Sequence, residues 1–438
     1  MILSVLTLFP NLYEPFVNTS IIARARESGK LDINIVNLFS FAEPKKRIDA
    51  PTFGPGQGML IRPDIVQKGL EKIEAEKSKA FKIFFSPQGR KLDQNLLNEI
   101  YSKALETNHV MLVPARYEGM DARVEEHYAD MVISVGDFVL MGGDLPALML
   151  IEGLTRLIPG VVGKEESVAK DSFTGPFVDY PAYCEPVEWQ GMKVPEVLRS
   201  GNHKEIENWR ANMAAQKTVK NHFQWLRTHV ERDEDIKLSK KFIPNHYVAL
   251  MHSEVNLPKE GSIESKVGTS SVTSLDIHDI ARSAATFGLK KYFIVTPLVD
   301  QQKIVNRLIT FWMSDQGIDY NPHRHEAVSA VEVIDNLEKI LEKIEKIEGK
   351  KPIIIGTSAK EHGKIERITY FDQEKVWAED RPVLFLLGTA RGLSDTVLDK
   401  CDYLLIPLKG FSEFNHLSVR SASAIIFDRW LGINSAHN

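Results

Sequence analysis

Two cysteines in 438 residues, Cys184 and Cys401, are too few for a disulfide framework, and neither stands in a metal-ligand spacing. Long apolar runs are missing too. The opening MILSVLTLFP is too short to span a bilayer, has no basic residues before it and stops at Pro10, so it reads as a buried strand rather than a signal peptide. A reduced, cytoplasmic protein with no membrane segment is expected. Nor is there an excess of positive charge: 54 Lys and Arg stand against 59 Asp and Glu, a net charge of -5 that, taken whole, argues against a phosphate-binding surface. Locally the balance reverses. From Lys193 to Lys241 eleven Lys and Arg meet seven Asp and Glu, with His203, His222 and His229 in the same stretch. That segment is where phosphate would be held, although charge alone fits a solvated helical face equally well.

What is present is enough apolar residue, 43% of the chain, for more than one core. Short β-branched runs at 3–8, 33–38, 81–85, 110–113 and 131–135 alternate with helical patterns such as LDQNLLNEIYSKALE, which implies a parallel α/β sheet. The Gly-, Pro- and charge-rich PGVVGKEESVAKDSFTGPFVDYPAY breaks the pattern and reads as a linker or ordered loop; helical sequences carrying Trp189, Trp209 and Trp225 follow. From His246 the alternation resumes with HYVALMH, KYFIVTP, KPIIIGTS, VLFLLG and YLLIP, a second α/β domain. The two α/β regions echo each other. In the first, VMLVPA leads into RYEGMD and then GDFVLMGGDLPALML; in the second, VLFLLG leads into TARGLSD and then LKGFSEFNHLSVRSASAII. Gly119 precedes Leu145 by 26 residues and Gly392 precedes Leu417 by 25, as expected if one architecture is used twice.

No single motif is decisive. GPGQGM at 54–59 is neither a dinucleotide fingerprint nor a phosphate loop. The order is informative: LFP, a Gly-rich loop ending in GM, SPQGRKLD, RYEGMD, GDFVLMGGDLP, RLIPG, DSF and GNHKEIENWR follow one another from Leu8 to Arg210. In that order the chain resembles the bacterial tRNA (guanine-N1)-methyltransferases, members of the SPOUT superfamily, whose chain forms a trefoil knot, an exception to the rule against knots. The resemblance implies methyl transfer from S-adenosylmethionine (SAM) to N1 of guanosine 37 in tRNA, by a homodimer in which the base of one protomer meets the cofactor of the other. Guanine N1 carries a proton at neutral pH, so the reaction needs a base, and a cation for the charge that builds on O6. Asp171 and Arg156 match the family's base and its electrostatic partner. A free aspartate, with a pKa of about 3.9, is a weak base, so either its surroundings or an acidified guanine must help; judged without the family, Asp171 is a loop or capping residue and Arg156 a helix-surface one.

The methyl donor has no phosphate, so its site should offer backbone amides and carbonyls. The matching positions are Ser86, Pro87, Ala115, Glu118, Val135, Gly136, Asp137, Phe138, Val139, Leu140, Gly142, Gly143 and Pro146. The glycines also serve simply to turn the chain, and a tight turn is what exposes backbone groups. No protein metal site is expected, and a magnesium ion is left open. Ser172, Asn202, His203 and Arg210 match positions that grip the RNA, the target nucleotide being flipped out of its stack; Trp209 reads better as a core residue of the helical part than as a contact. Three departures from the family pattern stand out: Ala115 in place of Gly, Pro55 within the glycine run, and Tyr183-Cys184-Glu185-Pro186 where a basic residue is usual.

From about Asn245 the chain resembles a second SPOUT-type domain. LDIHDIARSAATFGLKKYFIVTP, LLGTARGLSD and PLKGFSEFNHLSVRSASAIIFDRWL resemble the three motifs of that superfamily. Gly388, Thr389, Gly392, Ile406, Leu417 and Ser418 would line its cofactor site, with Arg282, Asn415 and Arg420 as catalytic candidates. The expected architecture is α/β: two trefoil-knotted parallel-sheet domains separated by a small helical domain. Its parts are 1–160 (SAM-binding), 161–176 (linker carrying Asp171), 177–243 (helical, tRNA-binding) and 244–438 (second SPOUT-like domain). Three alternatives stand beside this reading: ribose 2′-O-methylation by the second domain, a second domain kept only for RNA binding or dimerisation, and a tRNA-binding protein without turnover.

Overall fold

The computed structural model describes residues 1–54, 58–162, 171–259, 264–358, 363 and 365–434. It divides into two compact units, Met1–Thr174 and Gly175–Asn438.

The first unit is built on a parallel sheet. Its strands are β1 (Ile2–Thr7), β2 (Asp32–Asn37), β5 (Phe81–Lys91), β6 (His109–Val113) and β7 (Met131–Ser134), in the order β2-β1-β6-β5-β7; a hairpin of β3 (Asp49–Pro51) and β4 (Met59–Ile61) stands apart. Near-continuous apolar runs are what a sheet covered on both faces requires, and in β6 every residue is buried. One face packs Leu3, Val5, Val110 and Leu112 against Ile100 and Ala104 of the helix Gln94–Thr107 and Leu150 and Leu154 of the helix Asp144–Leu157. The other packs Leu6, Phe84 and Met111 against Ile65, Val66 and Ile73 of the helix Pro63–Glu76. Asp93 caps the 94–107 helix, its carboxylate accepting from Leu96 N at 2.7 Å. Within β5 the register with β7 shifts between Phe85 and Arg90, at the SPQG loop.

The second unit opens with a hairpin of β8 (Glu188–Trp189) and β9 (Met192–Lys193), so Trp189 lies on a strand rather than in the helical run expected for it. Three helices follow, His203–Asn221, Phe223–His229 and Asp233–Lys240. The large sheet contains β10 (His246–Met251), β13 (Lys291–Val295), β14 (Val331–Ile334), β15 (Ile353–Thr357), β16 (Arg367–Ile368), β17 (Val383–Gly388) and β18 (Tyr403–Leu405); β11 (Val255–Pro258) and β12 (Ser265–Gly268) form a separate hairpin. Its order is β14-β13-β10-β17-β15-β18-β16, with parallel pairing throughout. The five middle strands β13-β10-β17-β15-β18 repeat the connectivity of β2-β1-β6-β5-β7, which bears out the internal echo. The edge strands β14 and β16 are additions that the sequence reading did not assign. The three helices are not walled off from this sheet. Val219, Phe223, Leu226 and Val230 share one apolar cluster with Ile426, Phe427 and Trp430 of the last helix, Val419–Leu431, and with Trp377.

Candidate active site

In the first unit, the irregular SPQG segment within β5 and the chain segments after β6 and β7 converge on the N-terminus of the 144–157 helix. A cavity of about 400 Å³ opens there, within the range of small-molecule sites. Of the residues expected to hold the methyl donor, all but Asp137 line it: Ser86 and Pro87 from the first loop, Ala115 and Glu118 from the second, Val135, Gly136, Phe138, Val139, Leu140, Gly142, Gly143 and Pro146 from the third. Asp137 points outward and pairs with Lys91 at 2.7 Å, its side chain 87% exposed. Close backbone approach shapes the wall. Gly143 N donates to Ala115 O at 2.8 Å, and a methyl group on Gly143 would stand 2.9 Å from Pro114 Cα. At Gly89, after the register shift, an added methyl would come within 2.6 Å of the Ile133 backbone nitrogen. Both positions need glycine for space. Of the Gly-rich loop, residues 55–57, Pro55 included, lie outside the described residues. Its last glycine, Gly58, abuts the second loop, where an added methyl would meet the Glu118 side chain, and the next residue accepts at Met59 O from Glu118 N at 3.2 Å.

Arg116 and Asp144 were not among the residues singled out from the sequence, yet they fasten the cavity floor. Asp144, the first residue of its helix and 1% exposed, accepts from Thr7 Oγ1 at 2.7 Å, Tyr13 OH at 2.9 Å and Arg116 Nε at 2.6 Å. Arg116 also stacks over Phe9, 4.8 Å from the ring centroid. Burial and the neighbouring carboxylate push the Tyr13 phenol well above its ordinary pKa, so it remains a donor. Glu118 and Glu125 bring carboxylates to the lining; Gln88 Nε2 donates to Glu125 at 2.6 Å. Around the mouth Tyr117, Phe138, Val139 and Met141 are exposed.

Arg156 and Asp171 meet each other. Arg156 Nε donates to Asp171 Oδ2 at 2.9 Å, and a second guanidinium nitrogen reaches the same oxygen. Thr174 holds the loop, its backbone N donating to Asp171 O at 3.2 Å, and Ser172 is half-buried beside the pair. Neither member lines the cavity of its own chain. Arg156 stands twelve residues beyond Asp144 on one helix, about 18 Å along its axis.

In the second unit Asn202 caps the 203–221 helix, its side chain accepting from Glu205 N at 3.4 Å, and His203 is exposed on the first turn. Arg210 lies over the Tyr180 ring at 4.8 Å. Trp209 is half-buried, tilted against Tyr183 at 6.2 Å. Further on, Gly388, Thr389 and Gly392 share one tight loop: Gly392 N donates to Thr389 O at 2.9 Å, and Gly392 adopts a φ of +97°. Thr389 Oγ1 donates to Met251 O at 2.9 Å and lies 2.6 Å from Ser270 Oγ; Ser270 in turn meets His252 Nδ1 at 3.1 Å. His252 is buried, which pushes its pKa down to about 4; the sequence reading passed over it. Ile406 N bonds Ile368 O. Asn415 and half-exposed Leu417 precede the last helix, which Ser418 caps by accepting from Ser421 N at 3.2 Å. Arg420 faces Asp276 at 3.6 Å, whereas Arg282 is exposed on the helix Ser274–Thr286.

Two sheets of one connectivity, the first with a backbone-lined cavity at its strand ends, define an α/β enzyme of the RNA methyltransferase kind. Residues 1–228 match the family described as tRNA (Guanine-1)-methyltransferase TrmD, and residues 245–432 match SAM-dependent RNA methyltransferase. A tRNA (guanine-N(1)-)-methyltransferase of Nitratidesulfovibrio vulgaris is 36% identical over 98% of this chain and 99% of its own length. That of Thermus thermophilus is 41% identical over 49% of this chain and 87% of its own length. A crystal structure of tRNA (m1G37) methyltransferase from Aquifex aeolicus, 33% identical, covers 50% of this chain and 92% of that one with a TM-score of 0.43. The chain belongs to the tRNA (guanine-N1)-methyltransferase family and carries a SAM-dependent RNA methyltransferase domain in its second half. Its methyl donor is SAM and its substrate tRNA. No helix among the described residues is long and apolar enough to cross a membrane.

Proposed function

We propose that the first unit methylates N1 of guanosine 37 of tRNA in the cytoplasm, as a homodimer whose active site joins the cavity of one protomer to Asp171 and Arg156 of the partner subunit. The observation that carries this reading is the cavity, lined by the residues that the family motifs single out. Bound there, SAM supplies an electrophilic methyl group on a positively charged sulfur, and the Glu118 and Glu125 carboxylates suit that charge. The Asp171 carboxylate takes the N1 proton. As N1 gains the methyl group, charge spreads onto O6, where guanidinium donors of Arg156 stabilise it. The pairing of Arg156 with Asp171 supports this, since one guanidinium can orient the base and also face the nucleobase.

The dimer is supported by the separation along the 144–157 helix and by an exposed apolar face, Val139 at 90%, Met141 at 89%, Leu145 at 57% and Met149 at 53%. A trefoil knot in each α/β region is part of the proposal, supported in the first by the packing of Gly143 against Pro114 and Ala115. So are the boundaries 1–160, 161–176, 177–243 and 244–438, and the roles of Ser172, Asn202, His203 and Arg210 in gripping RNA. Gly388, Thr389, Gly392, Ile406, Leu417 and Ser418 are proposed as the second cofactor site, with Arg282, Asn415 and Arg420 beside it. Ribose methylation and non-catalytic binding are not favoured, because a relative matched along its whole length, second half included, is named for guanine-N1 methylation.

The test is Asp171→Ala in the full chain. Nucleosides from treated tRNA should lose 1-methylguanosine by at least about a hundredfold while SAM affinity stays unchanged. Full activity in the variant refutes the base assignment.

A further inference from the structure

The relative from Thermus thermophilus matches 49% of this chain over 87% of its own length, which leaves it no room for a second α/β domain of this kind. Here the helices His203–Asn221 and Phe223–His229 are built into one. The short helix Phe223–His229 is held at its start and its middle by residues more than 140 positions away. At its start, Phe223 N donates to Glu374 Oε1 at 3.1 Å, and Gln224 Nε2 donates to Gln373 Oε1 at 3.0 Å. From its middle Arg227, 3% exposed, sends Nε to Gly432 O at 2.7 Å, Nη1 to Arg429 O at 2.5 Å and Nη2 to Asp428 O at 2.6 Å. These are terminal carbonyls of the last helix, whose negative dipole end suits a cation. Asn434 N completes the clasp by donating to Arg227 O at 2.7 Å. Gln373, fully buried, also donates to Trp430 O at 3.1 Å, and Phe223 stacks edge-on to Trp377 at 4.6 Å. Removing the second domain would leave Phe223, Leu226, Val230 and an arginine without cover.

We infer that the second α/β domain has a function apart from any methyl transfer of its own: it is the scaffold that presents the RNA-gripping segment 202–210 for the reaction of the first unit, with Arg227 as the positioning residue at the joint. The inference rests on the proposed RNA-gripping role of that segment. Only one non-helical residue, His222, separates the helix His203–Asn221 that carries His203 and Arg210 from Phe223–His229, and Val219 of the longer helix enters the same core. Asn202, which caps the helix, also depends on it being formed.

Full-length Arg227→Met and Glu374→Ala test the joint from its two ends; the second removes a cap without leaving buried carbonyls unpaired. Each should speed amide hydrogen exchange across 203–240 and raise KM for tRNA by roughly tenfold, with kcat at saturating tRNA and the affinity for SAM held within about twofold. Arg227→Lys, which keeps the charge and loses the fork, should fall between. Unchanged exchange in both variants, or faster exchange with an unchanged KM for tRNA, overturns the inference. Arg210→Ala separates it from the reading beneath it. If KM for tRNA is unmoved by Arg210→Ala, the RNA-gripping role has failed and the scaffold with it; if Arg210→Ala raises KM and the joint variants do not, only the scaffold has.

Discussion

At Asp144 a carboxylate with 1% exposure gives up hydration worth several kcal/mol and recovers it through donors from Thr7, Tyr13 and Arg116. Removing the carboxylate strands Arg116 and two hydroxyls. Asp144→Ala should therefore cost the first unit about 3 kcal/mol in urea denaturation and weaken SAM binding, because the 115–118 loop loses its anchor. Gly143→Ala should act on the ligand more than on the fold. The added methyl meets Pro114 backbone at 2.9 Å, which must shift, so a roughly tenfold loss of SAM affinity by calorimetry with an intact unfolding transition is expected. Unaltered affinity would show that the wall gives way without cost. The lining glycines were legible in the sequence because motif order and turn chemistry point the same way. Asp144 was not, since its partner Thr7 lies 137 residues off and no local pattern marks a buried carboxylate.

The strands and their alternation with helices were readable from β-branched runs, and the parallel order followed from the covered faces. The helices after Lys193 were readable as helices but not as part of a neighbouring core, because the partners of Arg227 lie more than 200 residues away. Strand β10 begins with another case. His246 Nε2 accepts from the indoles of Trp430 at 3.0 Å and Trp377 at 3.3 Å, while Nδ1 donates to Pro244 O at 2.7 Å. Every position on the ring is filled in its neutral form, and burial pushes its pKa down to about 4 from an ordinary 6.5. Between those values the unfolded chain binds a proton that the folded chain refuses. Stability of the second unit should thus fall as pH drops from about 6.5 to about 4, by about 3 kcal/mol from this residue, and level off below. Thermal unfolding followed by tryptophan fluorescence over that range checks it, and a His246→Phe chain should have a flatter profile.

For the whole molecule, the same five-strand connectivity occurs twice; the first copy carries a cavity at its strand ends and, in the same unit, the paired Arg156 and Asp171. Arg156 stands about 18 Å along one helix from Asp144, and neither it nor Asp171 lines the cavity of its own chain, so the proposed route draws on two chains. Mixing two inactive chains measures this directly: one carries Asp171→Ala with a sound cavity, the other Ser86→Trp, which fills the cavity and leaves Asp171 in place. If each site joins the cavity of one protomer to the carboxylate of the other, co-refolding them should restore 1-methylguanosine formation to about a quarter of the wild-type rate, since half of the dimers are mixed and each mixed dimer holds one intact site. A mixture as inactive as its two components would contradict the shared site and place the whole reaction within a single chain.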